Sequence, residues 1–316
     1  MAIVFRAAGT ASNGNNATSL TPGLPSGTTA GDLLILQAQS FGGTNSRVPS
    51  VGSDWTSYQW SNGTSRHLLA WKFARTGEST PTITWTGTGA TDDTMVSRVH
   101  GFYTNTSGKR LVLAVVGDNS TNASADDIGP ISGITVPTGG GLVVISAGKS
   151  NDFNGQGALT NYTQAALTES TTGNDAGMTL MYRLAAPAGA TGNLTVQDNG
   201  GTNSNGVGLG KMLCFQEVDR DTLDVEVLQN TTVIATRTAQ SVGWSAGNIT
   251  ISLTSGERGD ITDASALRVR VTKQGAVGDV QVLEISAAID GTEVPGGSIP
   301  SWYYRDLCGL TSGDDL

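Results

Sequence analysis

His67 and His100 are the only imidazoles in the chain. One chain therefore cannot build a three-histidine metal site, though a single imidazole could still serve as a general base beside Ser or Cys. Both lie in strand-like contexts, Ser65-Arg66-His67-Leu68-Leu69 and Arg98-Val99-His100-Gly101-Phe102, and neither a Gly-x-Ser-x-Gly elbow nor a His-Glu-x-x-His motif occurs. They read as structural. The adjacent acids Asp92-Asp93 and Asp126-Asp127 could in principle work as a glycosidase pair. Neighbours on a strand point to opposite faces, however, so turn or loop acids are the better reading. Asp118-Asn119-Ser120-Thr121-Asn122 together with Asp126-Asp127 offers oxygen ligands for Ca²⁺ but lacks the ordered spacing of a calcium loop. A polar loop without metal is expected there, and no cofactor. Cys214, in the apolar run Met212-Leu213-Cys214-Phe215, reads as a buried inert thiol, and with Cys308 it makes no disulfide framework.

Aromatic residues supply the remaining chemistry. Trp55, Tyr58 and Trp60 cluster in one segment, where an exposed platform could stack on the apolar face of a pyranose. The competing reading puts Trp60 and Trp71 in a core. Only Tyr162 stands near the corresponding place further along the chain. Trp302-Tyr303-Tyr304, on a Gly-rich extension, is read either as a terminus docked over a domain edge or as an anchor for a neighbouring subunit.

The elements that must position these residues are strands. Leu33 to Gln39 and Leu142 to Ser146 are continuous apolar runs of strand length, while Thr82-Ile83-Thr84-Trp85-Thr86 and Asn193-Leu194-Thr195-Val196 alternate. Gly/Thr/Asn/Ser clusters separate them, and 43 glycines against 9 prolines suit many tight connections. No stretch has sustained helical periodicity; one or two turns are expected at Ser255 to Asp263 and at the C-terminus. The fold class expected is all-β, built of antiparallel, jelly-roll-like sandwiches.

Much of the chain repeats itself. Gly31-Asp32-Leu33-Leu34-Ile35-Leu36 returns as Gly140-Gly141-Leu142-Val143-Val144-Ile145, an offset of 109. Trp71-Lys72-Phe73-Ala74 returns as Tyr182-Arg183-Leu184-Ala185 at 111, and Gly101-Phe102 as Cys214-Phe215 at 113. A period of this length is that of a domain and far exceeds a solenoid repeat. The expected organisation is a sandwich copy at 1–108, a second at 109–218 that either stands alone or shares its core with the first, a small sandwich at 219–290 and an extension at 291–316. The third unit draws on the alternating segments Leu223 to Leu228, Val233 to Arg237, Asn248 to Leu253, Leu267 to Val271 and Val280 to Ile285.

A formal net charge of −9, with no basic run, argues against a nucleic-acid partner. The longest apolar runs are too short to span a bilayer, so no membrane is expected either. Met1 to Arg6 shows no charged region leading into a long apolar core, hence no signal peptide is expected.

With these residues in view, the chain resembles β-sandwich virion proteins of tailed bacteriophages and phage-like particles. Two blocks carry the resemblance. The first is Thr21-Pro22-Gly23, Ala30 to Ile35, Trp55, Leu69 to Ala74 and Ile83-Thr84-Trp85. The second is Leu228 to Thr236, followed by Ser252-Leu253-Thr254 and Asp260 to Arg270. The resemblance implies a non-enzymatic tail, fibre, head-spike or head-decoration component, assembled in the host cytoplasm into the virion, with copies of itself and other virion proteins as partners. No catalytic residues come with it. Two rival expectations are a carbohydrate-binding adsorption module recognising a host cell-surface polysaccharide and a polysaccharide-degrading enzyme.

Overall fold

The structure, a computed structural model, describes residues 2–42, 47–87, 93–122, 127–150, 153, 159–170, 175–198, 206–220, 222–241 and 252–274. Of the described residues 62% are in strands and 3% in helices, an all-β content. Two compact units divide the chain, Met1–Val218 and Asp219–Leu316.

In the first unit, strands β1 (Ile3–Ala8), β2 (Ser12–Asn15), β3 (Ser19–Leu20), β4 (Leu33–Phe41), β5 (Val48–Ser50), β6 (Thr56–Asn62), β7 (Ser65–Phe73), β8 (Ile83–Thr86) and β9 (Thr94–Thr104) come first. They form a large antiparallel sheet of order β1-β9-β4-β7-β6, with β2 also on β9, and a small sheet β3-β8-β5. Next come β10 (Lys109–Val116), β11 (Ser120–Asn122), β12 (Ile128–Ile131), β13 (Thr135–Val136), β14 (Gly141–Ser150), β15 (Thr163–Ser170), β16 (Ala176–Ala186), β17 (Gly189–Ala190), β18 (Leu194–Val196) and β19 (Gly208–Asp219). Their large sheet runs β10-β19-β14-β16-β15, with β11 on β19, beside the two-stranded pairs β12-β18 and β13-β17. Taken in order, β10, β19, β14, β16 and β15 hold the places of β1, β9, β4, β7 and β6.

The apolar runs of β4 and β14 are continuous because both faces of each strand are covered. On β4, Leu33 and Ile35 belong to one core cluster, whereas Leu34, Leu36 and Ala38 belong to another, beneath the small sheet with Trp55, Ile83 and Trp85. The strand β14 divides in the same way. Leu142 and Val144 join Leu33 and Ile35, while Val143, Ile145 and Ala147 pack with Ile128, Ile131 and Val196. The central cluster thus draws on both large sheets, with Leu69 and Phe102 from one and Leu180, Tyr182 and Phe215 from the other. The segments 1–108 and 109–218 share this core.

Contacts across that core are reciprocal. Trp71 meets Phe215 edge-on at 5.6 Å and 78°, and Phe102 meets Tyr182 edge-on at 5.4 Å and 77°. By the repeat, Trp71 corresponds to Tyr182 and Phe102 to Phe215, so the two pairs are one contact made twice. The Gln37 amide donates to Ser146 Oγ at 2.6 Å, across a separation of 109 residues, the offset of the repeat itself.

The second unit contains β20 (Thr222–Gln229), β21 (Thr232–Ser241) and β22 (Leu267–Gln274), an antiparallel sheet of order β21-β20-β22. Asn230, at φ 54°, and Thr231 make the turn between the first two strands. The expected helical turn is α1 (Ser255–Gly259), started by a capping box in which Thr254 and Glu257 bond each other's backbone. Glu257 also receives both arms of the Arg237 guanidinium, at 2.9 and 2.8 Å. These contacts hold its carboxyl down to about 2. Of the expected strand Asn248 to Leu253, residues 248–251 lie outside the described residues and Ser252 and Leu253 are not in a strand; the expected strand 280–285 lies outside them as well.

Candidate functional site

The histidines face the layer between the two large sheets, where the core turns polar. His67 lies on β7 and is fully buried. Its Nδ1 is 2.7 Å from Gln39 Oε1 and its Nε2 is 2.7 Å from Ser146 Oγ. A carboxamide oxygen only accepts, so Nδ1 carries the proton and Nε2 accepts from the Ser146 hydroxyl. Gln37 donates to the same hydroxyl oxygen and to Thr179 O, and Gln39 donates to Ser65 Oγ. The network holds His67 neutral, and burial pushes its pKa down to about 3. Such an imidazole positions two sheets; it has no free lone pair for a substrate. His100, on β9 and 1% exposed, has no hydrogen-bond partner at either ring nitrogen among the described residues. Burial, with the nearby Arg98 charge, lowers it to about 3 as well.

The network leaves no space at Gly148, on β14. A Cβ there would lie 1.6 Å from Gln39 Oε1 and 2.6 Å from His67 Nδ1. Gly148→Ala is expected to cost about 3 kcal/mol or more, because it both overpacks the layer and breaks buried hydrogen bonds. Urea unfolding at pH 7 measures this, and an unchanged midpoint would refute the account.

The aromatic platform does not form. Trp55 and Trp60 are each 7% exposed and lie in different core clusters, on opposite faces of the sheet. Their rings are already in use. Lys72 Nζ sits 4.9 Å from the centre of the Trp55 ring. Lys211 Nζ lies 5.0 Å from Tyr58 and 5.9 Å from Trp60, while donating to Gly117 O and Asn119 Oδ1. Trp60 also packs at 4.8 Å on His67. A sugar would have to displace these cations. The core reading of Trp60 and the half-buried Trp71 holds. Trp302, Tyr303, Tyr304 and Cys308 lie outside the described residues.

Cys214 is buried, and burial pushes its thiol up to about 11, so it is no nucleophile near neutral pH. Asp93 is buried and accepts from the Arg47 N–H, and Asp127 accepts from the Asp198 N–H. Both act as loop acids. Their neighbours Asp92 and Asp126 lie outside the described residues. Among those described, no cluster of three His, Cys, Asp or Glu could hold a metal.

Two basic positions that motif reasoning passed over prove more informative. Lys72, on β7, donates to Asp54 at 2.8 Å and Glu78 at 2.5 Å, beside the Trp55 ring. Arg183, on β16, lines a cleft of about 210 Å³ with Asn161, Tyr162, Pro187, Gly189 and Leu194. Burial raises the Tyr162 hydroxyl above its usual range, against the opposing effect of the Arg183 charge, so it stays protonated. The repeat block pairing Lys72 with Arg183 was the sequence signal that could have found them.

Compared with known proteins, the chain matches no family model, no curated protein and no solved structure.

Proposed function

We propose that this protein is a non-enzymatic structural component of a tailed phage or phage-like particle. In this reading it is an external head or tail appendage, a decoration protein, spike or fibre part, that works by associating with copies of itself and with other virion proteins. Its first unit is a tandem duplication in which two sandwich halves fused into one pseudo-symmetric body. Supporting the duplication are the matched strand orders, the reciprocal aromatic pairs and the Gln37–Ser146 contact. The observation that carries the non-enzymatic part is that His67, His100 and Cys214, the side chains best suited to covalent or acid–base chemistry, are all sealed in packing. The particle part rests on the phage-type sequence blocks and on a Gly-, Thr- and Asn-rich chain with only 14% charged residues. Such a chain presents broad, weakly charged polar surfaces on a rigid β scaffold, as a soluble component awaiting assembly requires.

Immunogold labelling of purified particles with an antibody to this chain tests the proposal. Gold over the head is the result expected of a decoration or spike protein, and gold on the tail that of an adsorption component. Unlabelled particles, under conditions that label a coat protein, would refute the particle role.

A second reading, an adsorption module that binds a host-surface glycan, is favoured by one observation, the Arg183–Tyr162 cleft. The tryptophan platform no longer supports it.

A further inference from the structure

The two halves of the first unit treat the same position in opposite ways. In the first half, Trp55 directly precedes β6, Asp54 precedes Trp55, and Lys72 stands on β7. Glu78 follows Lys72 by six residues. In the second half, Tyr162 directly precedes β15, Asn161 precedes Tyr162, and Arg183 stands on β16. The residue six beyond Arg183 is Gly189. Thus Trp corresponds to Tyr and Lys to Arg, so the aromatic and the cation are kept. The two carboxylates are replaced, Asp54 by Asn161 and Glu78 by Gly189. The intervening loop changes too, from Arg75-Thr76-Gly77 to Ala186-Pro187-Ala188, which carries no charge.

The physical consequence is a sealed site in one half and an open one in the other. The Lys72 ammonium is 9% exposed and neutralised by two carboxylates, one of which, Glu78, is itself 6% exposed. Arg183 has neither acid. Among the described residues its guanidinium makes no hydrogen bond or ion pair, and its charge acts on the Tyr162 hydroxyl. It is half-buried and lines the cleft together with Gly189, the residue that stands six beyond it as Glu78 stands six beyond Lys72. A partly desolvated cation without a counter-ion attracts an anion, and a guanidinium fork matches a carboxylate with two parallel hydrogen bonds.

We infer that the cleft formed by Arg183, Tyr162, Asn161 and the Ala186–Ala190 backbone is a binding site for a carboxylate carried on a small group. The ligand's carboxylate takes the place that Asp54 and Glu78 occupy beside Lys72. Arg183 holds it through its two outer N–H groups, the neutral Tyr162 hydroxyl and the Asn161 amide are the adjacent donors, and the Tyr162 ring offers an apolar face. At about 210 Å³ the cleft is smaller than the ~300–1,000 Å³ of drug-sized sites, which limits the occupant to roughly one sugar acid or one acidic side chain. The inference rests on the correspondence between the halves and not on a particle role, so unlabelled particles would leave it standing.

The test is a titration of the full chain, followed by backbone amide shifts, with three probes: sodium D-glucuronate, N-acetyl-L-glutamate α-amide and D-glucose. Saturable binding of at least one carboxylate, with a Kd in the roughly millimolar range usual for so small a ligand, is expected, with shifts at 160–162, 183 and 186–191 and none with glucose. Glucuronate alone would point to an acidic glycan, the glutamate derivative alone to an acidic protein segment. Arg183→Gln is expected to weaken binding about tenfold or more. Asn161→Asp restores the acid of the sealed half and is expected to weaken it similarly; Asp tolerates the φ of 68° found there. This exposed change also provides a test should Arg183→Gln not fold. Failure of both carboxylates to bind, or binding indifferent to both substitutions, overturns the inference.

Discussion

Lowering the pH from 7 to 5 is expected to weaken the Met1–Val218 unit by about 4 kcal/mol, through His67 and His100 alone. Each imidazole has its folded pKa depressed from 6.5 to about 3. Above pH 6.5 both states hold the rings neutral and there is no effect. As the pH falls below 6.5 the unfolded chain takes up two protons that the folded unit refuses until about pH 3, so stability is lost throughout that window. The slope approaches about 1.4 kcal/mol per pH unit for each ring, or about 2 kcal/mol per ring by pH 5. The lowered carboxyls of Asp54 and Glu217 act in the same direction but at more acid pH, below their ordinary values of 3.8 and 4.5. The interval between pH 6.5 and 4.5 therefore isolates the histidines.

Urea unfolding followed by tryptophan fluorescence at pH 7, 6 and 5 measures the loss, and a stability flat across that range would refute it. His100→Leu separates the two rings. Because neither nitrogen of His100 has a partner among the described residues, the substitution removes none of their hydrogen bonds. It is expected to leave stability at pH 7 equal or higher and to halve the acid slope. His67→Leu also halves the slope but strands Gln39 Oε1 and the Ser146 hydroxyl, at a cost of about 1–3 kcal/mol at pH 7.

Asp198→Asn is expected to destabilise the same unit by about 3–5 kcal/mol. Lys149, on β14, donates to Asp198 at 2.8 Å, and both side chains have no exposure at all. Removing one charge takes this counter-ion from the other in a low-dielectric interior, which costs far more than losing a surface pair. The double substitution Lys149→Met with Asp198→Leu removes both charges and is expected to recover much of the loss. A double-mutant cycle from urea unfolding at pH 7 gives the coupling directly. Near-additive single and double losses would mean that the pair acts independently. Lys149→Met alone is the more severe single change, because Asp198 would then be buried without its cation.

The sequence by itself determined the class and the scaffold of this protein. The β4 and β14 runs could only be strands covered on both faces, given their length, their branched side chains and the glycine-rich turns that bound them. The recurring blocks were legible because buried strand positions tolerate few residue types, so Leu33 and Leu142, or Phe102 and Phe215, are alike while the loops differ. The pairing of Lys72 with Arg183 was equally visible, as was the position of Tyr162.

Tertiary structure alone decided how those residues are used. Period-2 alternation says that Tyr58 and Trp60 share a face, but not that another sheet covers that face and brings Lys211 against both rings. A platform in the sequence became a core in the fold for that reason. Likewise, no local pattern puts His67 against Ser146, 79 residues away, or Lys149 against Asp198, 49 residues away. Those contacts arise where the halves stack and where a distant loop returns, which depends on sheet-to-sheet packing instead of residue periodicity. The opening at Arg183 is of the same kind. Two aligned basic residues look equivalent until the fold shows that one has its acids at 2.8 and 2.5 Å and the other faces a cleft.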